Sequence, residues 1–169
     1  MSTYKLISME LARHNKWQNS VLFGICDELD DHVLNQDRGA YFRSLSGTLN
    51  HILHVDQVLL DFINGGIPPT SFDPNHVPYD QYSSLRKARH SLDEEIIRLM
   101  DDSAAELFDA VFSFYSEDKE RERQRPRALF ISQMFNHQTH HRSQATYMLH
   151  ELGLDYGSTD LPYNPLSQS

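Results

Sequence analysis

Phe135-Asn136-His137-Gln138-Thr139-His140-His141-Arg142-Ser143-Gln144 places two imidazoles four residues apart on a strongly helical background. On a helix, residues i and i+4 lie on one face about one turn apart, so His137 and His141 can both turn a ring nitrogen toward one divalent cation. His140, three residues after His137, competes for the same role. Two ligands on one helix rarely hold a metal alone, and catalytic sites commonly use three protein ligands with a position left open for water or substrate. The third ligand must come from another segment, so the arrangement of helices decides whether a site exists.

Working outward from this stretch, four long helical segments can be read: Tyr4 to Asp30, Gly39 to Asn64, Pro78 to Asp102 and Pro126 to Gly153. Asn64-Gly65-Gly66 followed by Pro68-Pro69 stops the second, Pro126 suits a first helical turn, and Gly153 lies where a C-terminal glycine ends the fourth. The segment Gly65 to Val77, rich in Pro and Asn, reads as a long crossover, which permits two neighbouring helices to run parallel. Between helices three and four, Ala110-Val111-Phe112-Ser113-Phe114-Tyr115 is short and aromatic-rich and precedes the polar turn Glu117-Asp118-Lys119, so a small β-hairpin is expected there. The expected fold is all-α: a four-helix bundle with a long crossover connection and a small hairpin between helices three and four, in a single domain over residues 1–169.

Helical wheels identify the inward histidines. At about 100° per residue, His51 falls among Ile52, Val55, Val58, Leu59 and Phe62. A histidine on that apolar arc needs a polar partner or a metal, since burying its ring unsatisfied costs on the order of 1–3 kcal/mol. His54 falls with Gln57 and Asp61 on the polar side and is expected to face water. On the fourth helix His141 groups with Phe130, Met134, Ala145, Met148 and Leu152, and His137 lies at the edge of that arc beside Gln133 and Gln144. His140 falls outside it, near Asn136 and Tyr147. His51, His137 and His141 are therefore the candidate ligands, a pattern harder to explain as core packing than one lone inward histidine. His14 shares a face with Ile7, Val21 and Ile25, which fits a core histidine bonded to a backbone carbonyl or, alternatively, a proton donor or extra ligand.

Composition excludes several classes. The formal charge is −9, and the 15 basic residues form no long stripe, which argues against nucleic acid as a partner. The one basic run, Lys119 to Arg127, alternates with Glu120 and Glu122 and reads as a solvated loop. No run approaches the roughly 18 apolar residues of a membrane span. A single cysteine, Cys26, rules out an intramolecular disulfide and reads as a buried structural thiol. With no basic segment leading into an apolar stretch at the N-terminus, the expected location is cytoplasmic.

Four landmarks in order resemble the DinB-like (damage-inducible B) superfamily of metal-binding four-helix bundles. They are Arg13-His14-Asn15-Lys16-Trp17-Gln18-Asn19, the stretch Ser46 to Asp56 around His51, Asn136 to Gln144, and the tail Leu152-Gly153-Leu154-Asp155-Tyr156-Gly157. The third is the most specific, and the resemblance spans nearly the whole chain. Carried over position by position, it implies His51, His137 and His141 as the ligand triad and leaves His54 and His140 outside it. His14 stands where the family usually has tyrosine, and Gln18 where alanine is common. The resemblance further implies a homodimer.

Three neutral imidazoles suit a divalent transition metal, Zn²⁺, Ni²⁺, Fe²⁺ or Mn²⁺. Such a centre can lower the pKa of bound water, as in a hydrolase, or bind a thiol as thiolate. In a zinc-protease helix the residue after the first histidine is a glutamate base; here it is Gln138, which cannot take a proton. Hydrolysis would need a base such as Asp56 or His14 from another helix. Some members of the superfamily look like metal-dependent transferases of low-molecular-weight thiols, which implies an S-transferase acting on small electrophilic molecules. The alternatives are a non-catalytic metal-binding, stress-associated protein and a metal-dependent hydrolase; no individual catalytic residue is indicated.

Overall fold

The computed structural model describes residues 2–66, 72–115 and 121–167. Its helices are α1 (Thr3–Cys26), α2 (Asp31–Asn35), α3 (Leu45–Ile63), α4 (Tyr82–Asp102), α5 (Ala105–Asp109) and α6 (Arg127–Glu151); strands β1 (Val111–Tyr115) and β2 (Glu122–Pro126) lie between α5 and α6. A short 3₁₀ turn, Leu161–Tyr163, closes the chain's described part.

The long helices α1, α3, α4 and α6 form the bundle, with α1 packed on α4 and α3 on α6. Side-chain contacts give the directions. Lys16 meets Glu94 and Tyr82 reaches the Phe23 carbonyl, so α1 and α4 run antiparallel. His51 meets His137 while Phe62 meets Phe130, so α3 and α6 are antiparallel as well. Tyr79 beside Asn50 and Arg89 beside Asp56 make α3 and α4 parallel neighbours, the arrangement the long crossover permits. Residues 67–71 of that crossover, with the Pro68-Pro69 stop, lie outside the described residues.

Leu49, Leu53, Leu60 and Ile63 of α3 recur at helical spacing and pack with Met134, Ala145, Met148 and Leu149 of α6 and Leu85, Leu92, Ile96 and Met100 of α4. Cys26 is fully buried among them, and burial first, then Asp27, pushes its thiol up to about 12, so it is a core residue as expected. Ser2 and Ser44 cap α1 and α3 by accepting from Lys5 N and Gly47 N. Gly153, at φ 74°, ends α6 as anticipated, with Leu154 N bonding back to Leu149 O.

Three element boundaries differ from the sequence reading, one of them the start of α4 at Tyr82 rather than Pro78. The first helix breaks after Cys26, and α2 follows as a separate turn of helix that buries Leu34. The second begins at Leu45 rather than Gly39, because Gly39 and Arg43 both take positive φ (70° and 68°) and residues 40–43 fold into a tight turn. Gly47 is required there: a Cβ would stand 2.1 Å from the Phe42 carbonyl oxygen.

The expected hairpin is present, with Val111 paired to Pro126 and Tyr115 to Glu122 in antiparallel register. Its proposed turn, Glu117-Asp118-Lys119, lies outside the described residues. The basic run is thus not simply a loop; Glu122–Pro126 is an exposed edge strand, where charge discourages pairing with other chains. Phe112 and Phe114 on β1 pack against Phe62 and Phe130, and the Arg127 guanidinium lies 4.1 Å over the Phe112 ring. Among the described residues no helix is long and apolar enough to cross a membrane.

A polar ladder crosses the interior. Arg89 pairs with Asp56 at 2.5 Å and with Asp93 at 2.8 Å; Asn19 donates to Asp93 and Gln138; Arg142 donates to Gln138 and Asn15. All seven side chains are buried, and together they touch each of the four long helices. Burial raises the Asp56 carboxyl toward the neutral range, and Arg89 pulls it back. Removing Asp56 leaves the buried Arg89 with one carboxylate, Asp93, in place of two, at a cost of about 2–3 kcal/mol, less than that of a wholly unpaired buried charge. Asp56→Ala is expected to lose that much in urea unfolding at pH 7; a loss below about 1 kcal/mol would show that the ladder contributes little.

Candidate metal centre

His51 stands in the second turn of α3 and His137 and His141 one turn apart in α6, so the antiparallel packing of two helices brings the three rings together. One nitrogen from each lies within 4.8 Å of the others, a group that could hold a metal ion. His51 Nε2 and His137 Nε2 are 3.1 Å apart. Two nitrogens each about 2.0–2.1 Å from one ion, at angles of about 90–110°, stand roughly 2.8–3.4 Å apart, so this spacing fits a shared ion.

The protein sets two of the three tautomers. His51 Nδ1 lies 2.8 Å from the Pro74 carbonyl, which can only accept, so that nitrogen carries the proton and Nε2 is bare. His141 Nδ1 is 2.8 Å from Gln144 Oε1 and donates in the same way. His137 Nδ1 is buried without a partner among the described residues. Because His51 Nε2 is bare, the 3.1 Å contact holds only if His137 Nε2 donates to it, or if a cation takes the place of that proton. The donor set therefore fits a metal.

Burial is the main cause of the site's electrostatics. It lowers the His51 pKa to about 4 against the Pro74 hydrogen bond, and His137 to about 3 with help from the neighbouring His141 and His51 rings. His141 is lowered too, by burial against the Gln144 bond. Neutral imidazoles are the form a metal requires. Phe42 completes the wall, stacked on His51 at 3.8 Å between ring centroids and edge-on to His141 at 5.4 Å.

A family model, that of the DinB family, matches residues 1–168. The chain belongs to the DinB family. A search of curated proteins found no match. In this DinB protein the three histidines singled out from the sequence are the ones that converge, while the others go elsewhere. His140 is exposed, packed edge-on against His141. His14 is buried with Nε2 2.9 Å from the Thr159 carbonyl, which is the core reading, and Gln18 one turn later donates to the Ser158 carbonyl. The two departures from the family pattern thus share one job, holding the C-terminal tail to α1.

His54 corrects the expectation of a solvent-facing ring. It is half-buried, stacked on Phe72 at 5.0 Å with His76 edge-on, because the crossover folds back over α3 at this point. Gln138, already excluded as a base, is fully buried and turned to Asn19 and Arg142, away from the imidazoles. Three partners were missed. Gln144 could have been found, lying three residues after His141 on the same helix. Pro74 and Phe42 carry no signal, since they act through a backbone carbonyl and a turn. A cleft of about 590 Å³ between residues 36–41 and the end of α6 meets the site at Gln144.

Two predictions follow from this geometry. Gln144→Ala releases His141 and should weaken metal binding by about 10–100-fold in a chelator-competition titration, whereas His140→Ala should change it less than about twofold. The triad's pKa values are lower folded than unfolded, so the metal-free protein is fully stable above the unfolded value of 6.5 and loses stability as pH falls toward about 4. Melting in chelator from pH 7 to pH 4.5 should drop by several degrees more than in a His51→Gln, His137→Gln double variant; parallel curves would refute the assignment.

Proposed function

We propose that His51, His137 and His141 bind one divalent transition metal ion, Zn²⁺, Ni²⁺, Fe²⁺ or Mn²⁺, and that the protein is an S-transferase joining a low-molecular-weight thiol to a small electrophilic molecule. We further read it as a cytoplasmic homodimer whose residues 1–169 form one domain. The observation that carries the proposal is that one nitrogen from each of the three rings lies within 4.8 Å of the others, with the Pro74 carbonyl holding the His51 proton on Nδ1 and leaving its Nε2 bare toward His137.

Three neutral ligands leave the ion's charge uncancelled, which favours an anionic fourth partner such as a thiolate. When bound, the ion supplies Lewis acidity that favours thiolate over thiol at neutral pH. The chain's residues do the rest. Pro74 and Gln144 orient two rings, and Phe42 covers one face of His51 against water. The transfer balances: the sulfur forms a bond to carbon, the thiol proton passes to solvent, and the leaving group departs with its bonding pair.

The hydrolase alternative needs a base beside the imidazoles; Gln138 cannot serve, and both candidates are engaged elsewhere, Asp56 with Arg89 and His14 at Thr159. A second reading is favoured by the 590 Å³ cleft, whose lining includes none of the three histidines: the ion would then clamp the crossover and α3 to α6 without catalysis.

Metal analysis of untagged protein purified without chelator should give about one transition-metal ion per chain, lost in a His137→Ala, His141→Ala double variant. The metal-loaded protein should turn over with a panel of thiols and electrophiles, and His51→Ala should abolish turnover while keeping helical content. Metal bound at full stoichiometry with no turnover in any panel, and a large fall in melting temperature on chelation, would support the clamp instead.

A further inference from the structure

The two buried arginines of the ladder are treated unequally. Arg89 has two carboxylates, Asp56 and Asp93, within ion-pair distance. Arg142 is as deeply placed, 6% exposed, yet its hydrogen bonds go only to neutral amide oxygens, from Nη1 to Asn15 and Gln138. Among the described residues no carboxylate lies within ion-pair distance of it. Burial lowers its pKa to about 10, which leaves it fully charged at neutral pH.

Arg142 lines a cleft of about 240 Å³ between α1, α6 and the C-terminal tail, with His14 and Gln18 also buried there and Thr139, Ser143, Thr146, Tyr156 and Thr159 around them. The cleft faces the α1 side of α6, whereas His137 and His141 face α3. The three hydroxyls on α6 have a definite polarity. Thr139 donates to the Phe135 carbonyl, Ser143 to that of His140 and Thr146 to that of Ser143, so each has spent its proton on α6 and offers the cleft lone pairs only.

We propose that this cleft is a second binding site, separate from the metal centre, for a small monocarboxylate that also carries an amino or hydroxyl donor. The planar guanidinium fork, with nitrogens beyond Nη1 lacking partners among the described residues, matches a carboxylate. The hydroxyl oxygens accept from the ligand's own N–H or O–H group. A phosphate dianion fits poorly, because a single cation and three accepting hydroxyls along α6 leave its second charge unanswered. The volume, below the roughly 300–1,000 Å³ of drug-sized sites, limits the ligand to a few heavy atoms.

The test uses the full chain in chelator, titrated calorimetrically with glycine, glycolate, acetate and inorganic phosphate. Glycine and glycolate should bind with Kd of about 1–10 mM, with acetate at least about threefold weaker for want of a donor. Thr146→Leu fills the cleft without touching the ladder and should weaken glycine binding at least about tenfold with helical content unchanged. Arg142→Lys, which keeps the charge but not the fork, should do the same if it folds. Absence of binding by either donor-bearing carboxylate, affinity indifferent to Thr146→Leu, or phosphate binding tighter than both would each overturn the proposal.

Discussion

The rotation of α6 about its own axis is set by the polar ladder. Gln138 and Arg142, one turn apart, must point toward Asn15 and Asn19 of α1, since their amide and guanidinium groups have no other buried partners at hand. His137 and His141 precede them by one residue each, about 100° around the helix, and are carried by the same rotation to face α3. Histidine cluster and ladder are therefore two stripes of one helix, and the ladder's hydrogen bonds keep the histidine stripe from drifting.

On the opposite side, consecutive residues of α3 fasten the crossover. Asn50 pairs its amide with both the N–H and the carbonyl of Tyr79, and His51 donates to Pro74. A segment that could otherwise lift away becomes the outer support of the His51 ring. The same contacts desolvate the imidazoles, which keeps them neutral and ready for a cation well below the pH at which free histidine would protonate. The Phe42 turn adds a hydrophobic cover, and Gly47 allows the backbone approach that brings it there.

Much of this was legible beforehand. The i,i+4 spacing of His137 and His141 and the apolar arc around His51 led to the converging rings, because helical periodicity depends only on neighbours along the chain. Gly153 and the aromatic run before Tyr115 marked a helix end and a strand for similar local reasons. The start of α3 was misread because Tyr41 to Ser44 look compatible with a helix, and the turn there depends on Arg43 accepting a positive φ. His54 was placed in water because a wheel cannot register a distant segment, here Phe72 to His76, folding over it.

Periodicity within single helices thus determined which histidines share an inward face and that three of them could meet. Tertiary structure alone decided which ring nitrogens are free to bind, that Gln138 belongs to the core rather than the site, and that Arg142 is left charged beside a cleft. The physical reason is the range of the forces involved: backbone geometry is local, whereas a proton's position, a pKa and a buried charge are governed by carbonyls, carboxylates and desolvation supplied by residues far away in the chain.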